Sequence, residues 1–112
     1  MSCKGYKWYS GVPHCHTVAS DGGLTLEQVI EKAKKSKIDF LIITDHNVHC
    51  KEFPDVDGLT LIYGAELTKH GGHCNMWGVK DVIDKEDYDT CETYEDFLRV
   101  KTKAEERGAV IC

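Results

Sequence analysis

Residues 40–43, FLII, are four apolar residues in a row, set between Asp39 and Thr44. A strand with one wet face alternates apolar and polar residues. An unbroken apolar run belongs to a strand covered on both faces, the condition of a parallel sheet flanked by helices. The runs LTLIYG (59–64) and AVIC (109–112) have the same character, NMWGVK (75–80) shows it more weakly, and KWYSGV (7–12) reads as a less regular first strand. Between them lie two amphipathic stretches. In LTLEQVIEKAKKSKI, Leu26, Val29, Ile30 and Ala33 share one helical face, and Thr25 with Gln28 fits a capping box. In TYEDFLRVKTKAEERG, Tyr94, Phe97, Leu98 and Ala104 make a looser face, and Gly108 is a stop. Strands alternating with helices predict an α/β fold with a mainly parallel sheet. The acidic segment 81–92, DVIDKEDYDTCE, reads as an exposed loop.

The ends of these strands carry the chemistry. KWYSGV runs into His14 and His16, DFLIIT into Asp45, His46 and Asn47, and LTLIYG into Ala65 and Glu66. In parallel sheets and barrels the C-terminal edge is where active sites sit. Residues two apart on an extended segment share a face, so His14 and His16 can reach one ion while Cys15 points away. Neutral imidazole is the commonest metal ligand, and the two oxygens of Glu66 can bridge two ions. The turn SDG can bend Asp21 toward them, and His73 follows two glycines on a loop free to adopt unusual backbone angles. Asp45 suits orienting a neighbouring ligand better than binding an ion itself. Taken singly, each residue has a plainer reading. His14 and His16 can be a polar strand end, His46 a structural histidine, Asp21 a turn residue, Glu66 a partner for Lys69, and His73 either ligand or not. His49 and His70 have no supporting context and read as surface residues. It is the convergence of three strand ends that favours a metal site.

A chain of 112 residues is one domain, here residues 1–112. A net charge of −5 argues against a nucleic-acid backbone as partner, a small nucleotide substrate excepted. There is no apolar run of membrane-spanning length and no signal-peptide core at the start, so no membrane partner is expected. The six cysteines form no C-x-x-C pair, and free thiols in a reducing cytoplasm are expected. A soft-ligand site at Cys15, Cys50 and Cys74 would leave Asp21 and Glu66 unexplained. The last apolar run has nothing after it to cover a buried strand, which predicts an unfinished sheet edge and self-association through it.

HCHTVASDG, TDHN, GAELT and GGHCNMWG resemble, in that order, the signature of the polymerase and histidinol phosphatase (PHP) superfamily, most closely its CehA/McbA-like branch. The resemblance runs from about Trp8 to Cys112. It implies the N-terminal half of a distorted (β/α)7 TIM-like barrel, truncated on its C-terminal side, with two or three divalent ions (Zn, Mn or Fe). Carried over by position, it implies that His14 and His16 bind a first ion. Glu66 would bridge that ion to a second held by His73, and Asp21 with His46 would help hold a third. The implied activity is phosphoester hydrolysis by a metal-activated hydroxide, with no protein nucleophile. The implied substrate is a small phosphorylated compound or, by an alternative that the scarcity of arginine supports, a carbon ester or carbamate. A non-catalytic metal-binding fragment is the third reading. Val12-Pro13 departs from the family pattern, and the family's later Asn-His-Pro and Asp-x-His ligands have no counterpart before residue 112.

Overall fold

The computed structural model describes residues 5–69 and 72–112. Five strands form one sheet in chain order: β1 (Gly11–Val12), β2 (Phe40–Ile43), β3 (Thr60–Lys69), β4 (Gly72–Trp77) and β5 (Val110–Ile111). β1, β2 and β3 run parallel, with Leu41 level with Leu61 and Ile43 with Tyr63. β4 and β5 are antiparallel additions, so the sheet is mixed and curls into a half-barrel rather than being mainly parallel. The expectation failed at β4 because the chain between β3 and β4 is too short for the crossover that a parallel neighbour requires. Among the described residues, no helix is long and apolar enough to cross a membrane. Cys15, Cys50, Cys74, Cys91 and Cys112 are free thiols, and Cys3 and His70 lie outside the described residues.

The helices are α1 (Leu26–Lys35), α2 (Lys85–Asp89) and α3 (Tyr94–Glu106). α1 starts at the expected capping box, in which Thr25 accepts from the Gln28 amide and Gln28 reaches back to the Thr25 amide. Val29, Ile30 and Ala33 bury its inner face against Leu41, Ile43 and Leu59. α3 buries Phe97, Val100 and Ala104 against Ala65, Leu67, Cys74 and Met76. Its true face therefore includes Val100 and leaves Tyr94 and Leu98 exposed. Gly108 ends that segment at φ +97°, the left-handed conformation that favours glycine. Both helices cover the same face of the sheet. The opposite, concave face carries Ile42 and Thr44 at β2, Gly64, Glu66 and Thr68 on β3, and His73, Asn75 and Trp77 on β4.

Three further expectations are corrected. The segment 81–92 is not an exposed loop: it contains α2 and buries Ile83, Asp87, Tyr88 and Cys91 in the core under α3. Two of its acidic residues, Asp84 and Asp87, form the capping box of α2, a structural use that the acidic composition hid. The AVIC run is not a doubly covered parallel strand. It forms the short antiparallel β5, whose Val110 is exposed. The first strand is reduced to Gly11–Val12, with Trp8 and Tyr9 at the surface.

Candidate metal centre

β1 ends at Val12, and Pro13 leads into the extended segment that carries His14 and His16. Cys15 between them turns the other way, toward the α1 core, and its amide donates to the Thr44 hydroxyl (3.1 Å) at the end of β2. The Thr44 amide returns a bond to the Cys15 carbonyl (2.7 Å), which ties the histidine segment to the sheet. The following loop is anchored by the buried Asp45. Its carboxylate accepts from the Thr17 amide (2.6 Å), the Thr17 hydroxyl (2.7 Å) and the Ser20 hydroxyl (2.7 Å). Gly22 closes this loop so tightly on the His16 carbonyl that no Cβ fits there. That closure sets Asp21 beside His16.

On the other side, β3 continues past the end of β2, and His46 pairs with Glu66 as an isolated parallel bridge. Glu66 is therefore inside a strand rather than at its end. Asn47, at φ +53°, stands in for a strand neighbour. Its side chain accepts from the Thr68 amide (2.9 Å) and donates to the Thr68 carbonyl (3.1 Å). His73 is likewise on β4, opposite Thr68, and not on a glycine loop. Gly72 begins the strand instead of loosening it and pairs with Lys69, while Gly71 lies outside the described residues.

All six candidate ligands meet around the buried Glu66 carboxylate. Oε1 lies 3.1 Å from His14 Nε2 and 3.7 Å from His16 Nε2. Oε2 lies 2.7 Å from His46 Nδ1 and 3.1 Å from His73 Nδ1. His16 Nδ1 is 2.7 Å from Asp21 Oδ1, and His46 Nε2 is 3.3 Å from Asp21 Oδ2. Among the described residues two triads have metal-ligand spacing: His14, His16 and Glu66, and His16, Asp21 and His46. In the first triad the two Nε2 atoms are 2.8 Å apart. A tetrahedral ion with bonds of about 2.0–2.1 Å sets neighbouring donors about 3.3 Å apart. The observed 2.8, 3.1 and 3.7 Å bracket that value, so the donor set fits a divalent ion.

The two triads share His16, and a neutral imidazole ligates through one nitrogen only. With Nε2 facing His14 and Glu66, the Nδ1–H donates to Asp21. That carboxylate then orients His16 and keeps Oδ2 for the His46 side. The His16 hydrogen bond holds the Asp21 carboxyl below the usual range. Burial pushes the Glu66 carboxyl up, but the Thr68 hydroxyl, His73 and the neighbouring histidines outweigh it and hold it low. Both acids are thus carboxylates at neutral pH, as ligands must be.

Two residues at this cluster escaped the sequence reading. The Thr68 hydroxyl donates to Glu66 Oε2 (2.7 Å), and the Asn75 amide contacts His14 Nδ1 (2.7 Å). The period-two alternation of β3 and β4 would have placed both on the Glu66 face. His49, read as a surface residue, is half-buried against the Tyr88 hydroxyl (2.9 Å). It lines a cavity of ≈ 540 Å³ beside α2 that none of the six candidate ligands reaches. No protein-family model matches the chain, and no curated protein is significantly similar to it.

Proposed function

We propose that this protein is a metal-dependent hydrolase of the PHP type that acts on phosphoesters. The observation that carries this reading is the Glu66 carboxylate, with one oxygen toward His14 and His16 and the other toward His46 and His73. A carboxylate addressed from both sides suits two ions close together, and the mixed histidine and carboxylate donors suit Zn, Mn or Fe. Bound there, such ions would lower the pKa of a coordinated water toward neutrality and polarise the scissile group. The chain's own residues hold the geometry. Asp21 fixes the His16 ring so that Nε2 faces inward. Thr68 orients Oε2 of Glu66. Asp45 keeps the 16–21 loop in place. Burial, with the Asp45 charge adding, pushes the Cys15 thiol up, so the cysteine nearest the site stays a protonated thiol and is no nucleophile.

A carbon-ester or carbamate hydrolase with the same ions is the second reading, and one observation favours it. Neither arginine serves the cluster: Arg99 faces Asp87 and Asp96, and Arg107 lines the cavity beside α2. Assays of p-nitrophenyl phosphate and p-nitrophenyl acetate with added Zn or Mn separate the readings. We expect metal-dependent phosphate turnover that falls roughly 100-fold or more in Glu66→Gln. Ester turnover alone would favour the second reading. Metal uptake without either turnover would leave a metal-binding module.

A further inference from the structure

Asn75 stands directly across the ladder from Glu66, and its backbone is pinned on the far side by reciprocal bonds with Cys112 (both 2.8 Å). With the backbone held there, the terminal amide can still turn about its own axis. The amide nitrogen Nδ2 lies 2.7 Å from His14 Nδ1, while the carbonyl Oδ1 is buried with no hydrogen-bond partner. A neutral imidazole has one N–H and one lone pair. With the Asn75 NH2 donating to Nδ1, the His14 proton sits on Nε2 and faces Glu66 Oε1, 3.1 Å away. A cation at Glu66 needs the Nε2 lone pair instead. The ring then gives up its Nε2 proton and takes one from solvent at Nδ1, with no net change of charge, and Nδ1–H needs an acceptor where Nδ2 now stands.

We propose that Asn75 is the positioning residue of His14, and that its amide turns over when His14 becomes a metal ligand. The half-turn brings Oδ1 to the ring to accept from Nδ1–H. In the present orientation Oδ1 is unpartnered, and after the turn Nδ2 takes that place. One end of the amide is thus unpartnered in either state. No competing bond locks it, and the His14 tautomer decides its direction. This inference rests on the reading of the Glu66 cluster as a metal site. Partners that fix a ligating imidazole in this way typically change metal affinity by roughly 10–100-fold when removed.

The test uses the full chain with 15N-labelled histidine at about pH 8, where an ordinary imidazole is neutral. Two-bond 1H–15N spectra should show His14 as the Nε2–H tautomer in the metal-free protein and as Nδ1–H after zinc is added. Chelator competition should show zinc affinity reduced roughly 10–100-fold in Asn75→Leu and retained in Asn75→Asp, which can only accept. Metal-free Asn75→Asp should already hold His14 as Nδ1–H. Wild-type His14 that is Nδ1–H before zinc is added overturns the proposal, as does unchanged zinc affinity in a folded Asn75→Leu protein. If that variant does not fold, the wild-type spectra decide alone. A wild-type protein that takes up no zinc overturns the metal-site reading and this assignment with it, whereas zinc binding insensitive to Asn75 overturns the assignment only.

Discussion

Glu66 has a different set of histidines on each oxygen, so its loss is felt on both sides. Elemental analysis of Glu66→Gln should show bound metal falling at both positions together, whereas loss of a single ion would mark Glu66 as a terminal ligand. His16 contacts His14, Asp21 and Glu66, while His49 faces Tyr88 beside α2. His16→Ala should therefore lose most of its metal and His49→Ala should keep it; equal content in the two would remove the H-x-H segment from the site. At this scale the sequence was informative where a residue type is rare and chemically committed. Two histidines in three residues and a carboxylate after a buried run point toward each other without coordinates. Thr68 and Asn75 are uncommitted polar residues whose importance lies in what the fold sets beside them, Glu66 Oε2 for the one and His14 for the other.

Among the elements, β3 is the one on which the site depends. It pairs in parallel with β2 and antiparallel with β4, and Gly64 lets it approach β2 closely. A Cβ at Gly64 would stand 2.8 Å from the Ile43 carbonyl oxygen and 2.9 Å from Ile42 Cγ2. Backbone cannot yield as a flexible side chain does, so Gly64→Val should destabilise the fold by about 1–3 kcal/mol. Because Glu66 is two residues further on, the same variant should also bind less metal; unchanged urea midpoint and metal content would show that β3 has slack. The second element-scale case is α2, hidden in an acidic segment of which Asp84 and Asp87 form its cap. Burial pushes the Asp87 carboxyl up, but the Asp84 amide and Lys103, whose Nζ lies 2.6 Å from Oδ2, hold it below its ordinary value. A carboxyl that titrates lower in the folded chain stabilises fully at neutral pH, and loses that contribution as pH falls below about 4 through its folded value. Asp87→Asn should cost about 1–3 kcal/mol at pH 7 and less at pH 3, read from urea unfolding at both. Equal losses at the two pH values would show that Asp87 acts through packing alone. The alternation of strand and helix was legible because apolar runs and capping boxes are local signals. The direction of β4 was not, because it follows from the length of a connection and not from any residue in the strand.

For the whole molecule, β1 and β5 are the outer strands of the sheet among the described residues, and Tyr6, Tyr9 and Val110 are exposed. Open edges with apolar neighbours invite pairing with another chain. We expect residues 1–112 to self-associate in sedimentation experiments, and a monomer at every concentration would show that these edges are blunted by their shortness. The adjacency of β3 and β4 bears in addition on how the site comes into being. Glu66, Thr68, His73 and Asn75 all lie on that one hairpin, so half of the cluster consists of near neighbours in the chain, and hairpins close within about 1–10 μs. His14 and His16 arrive only when a segment of roughly fifty residues has closed behind them, which carries a larger loop entropy. This difference predicts assembly in two stages, with the hairpin formed first and then completed by the distant segment. A divalent ion spanning the two halves would act as a cross-link across that long loop, so the rate at which this chain folds would depend on how much free metal surrounds it.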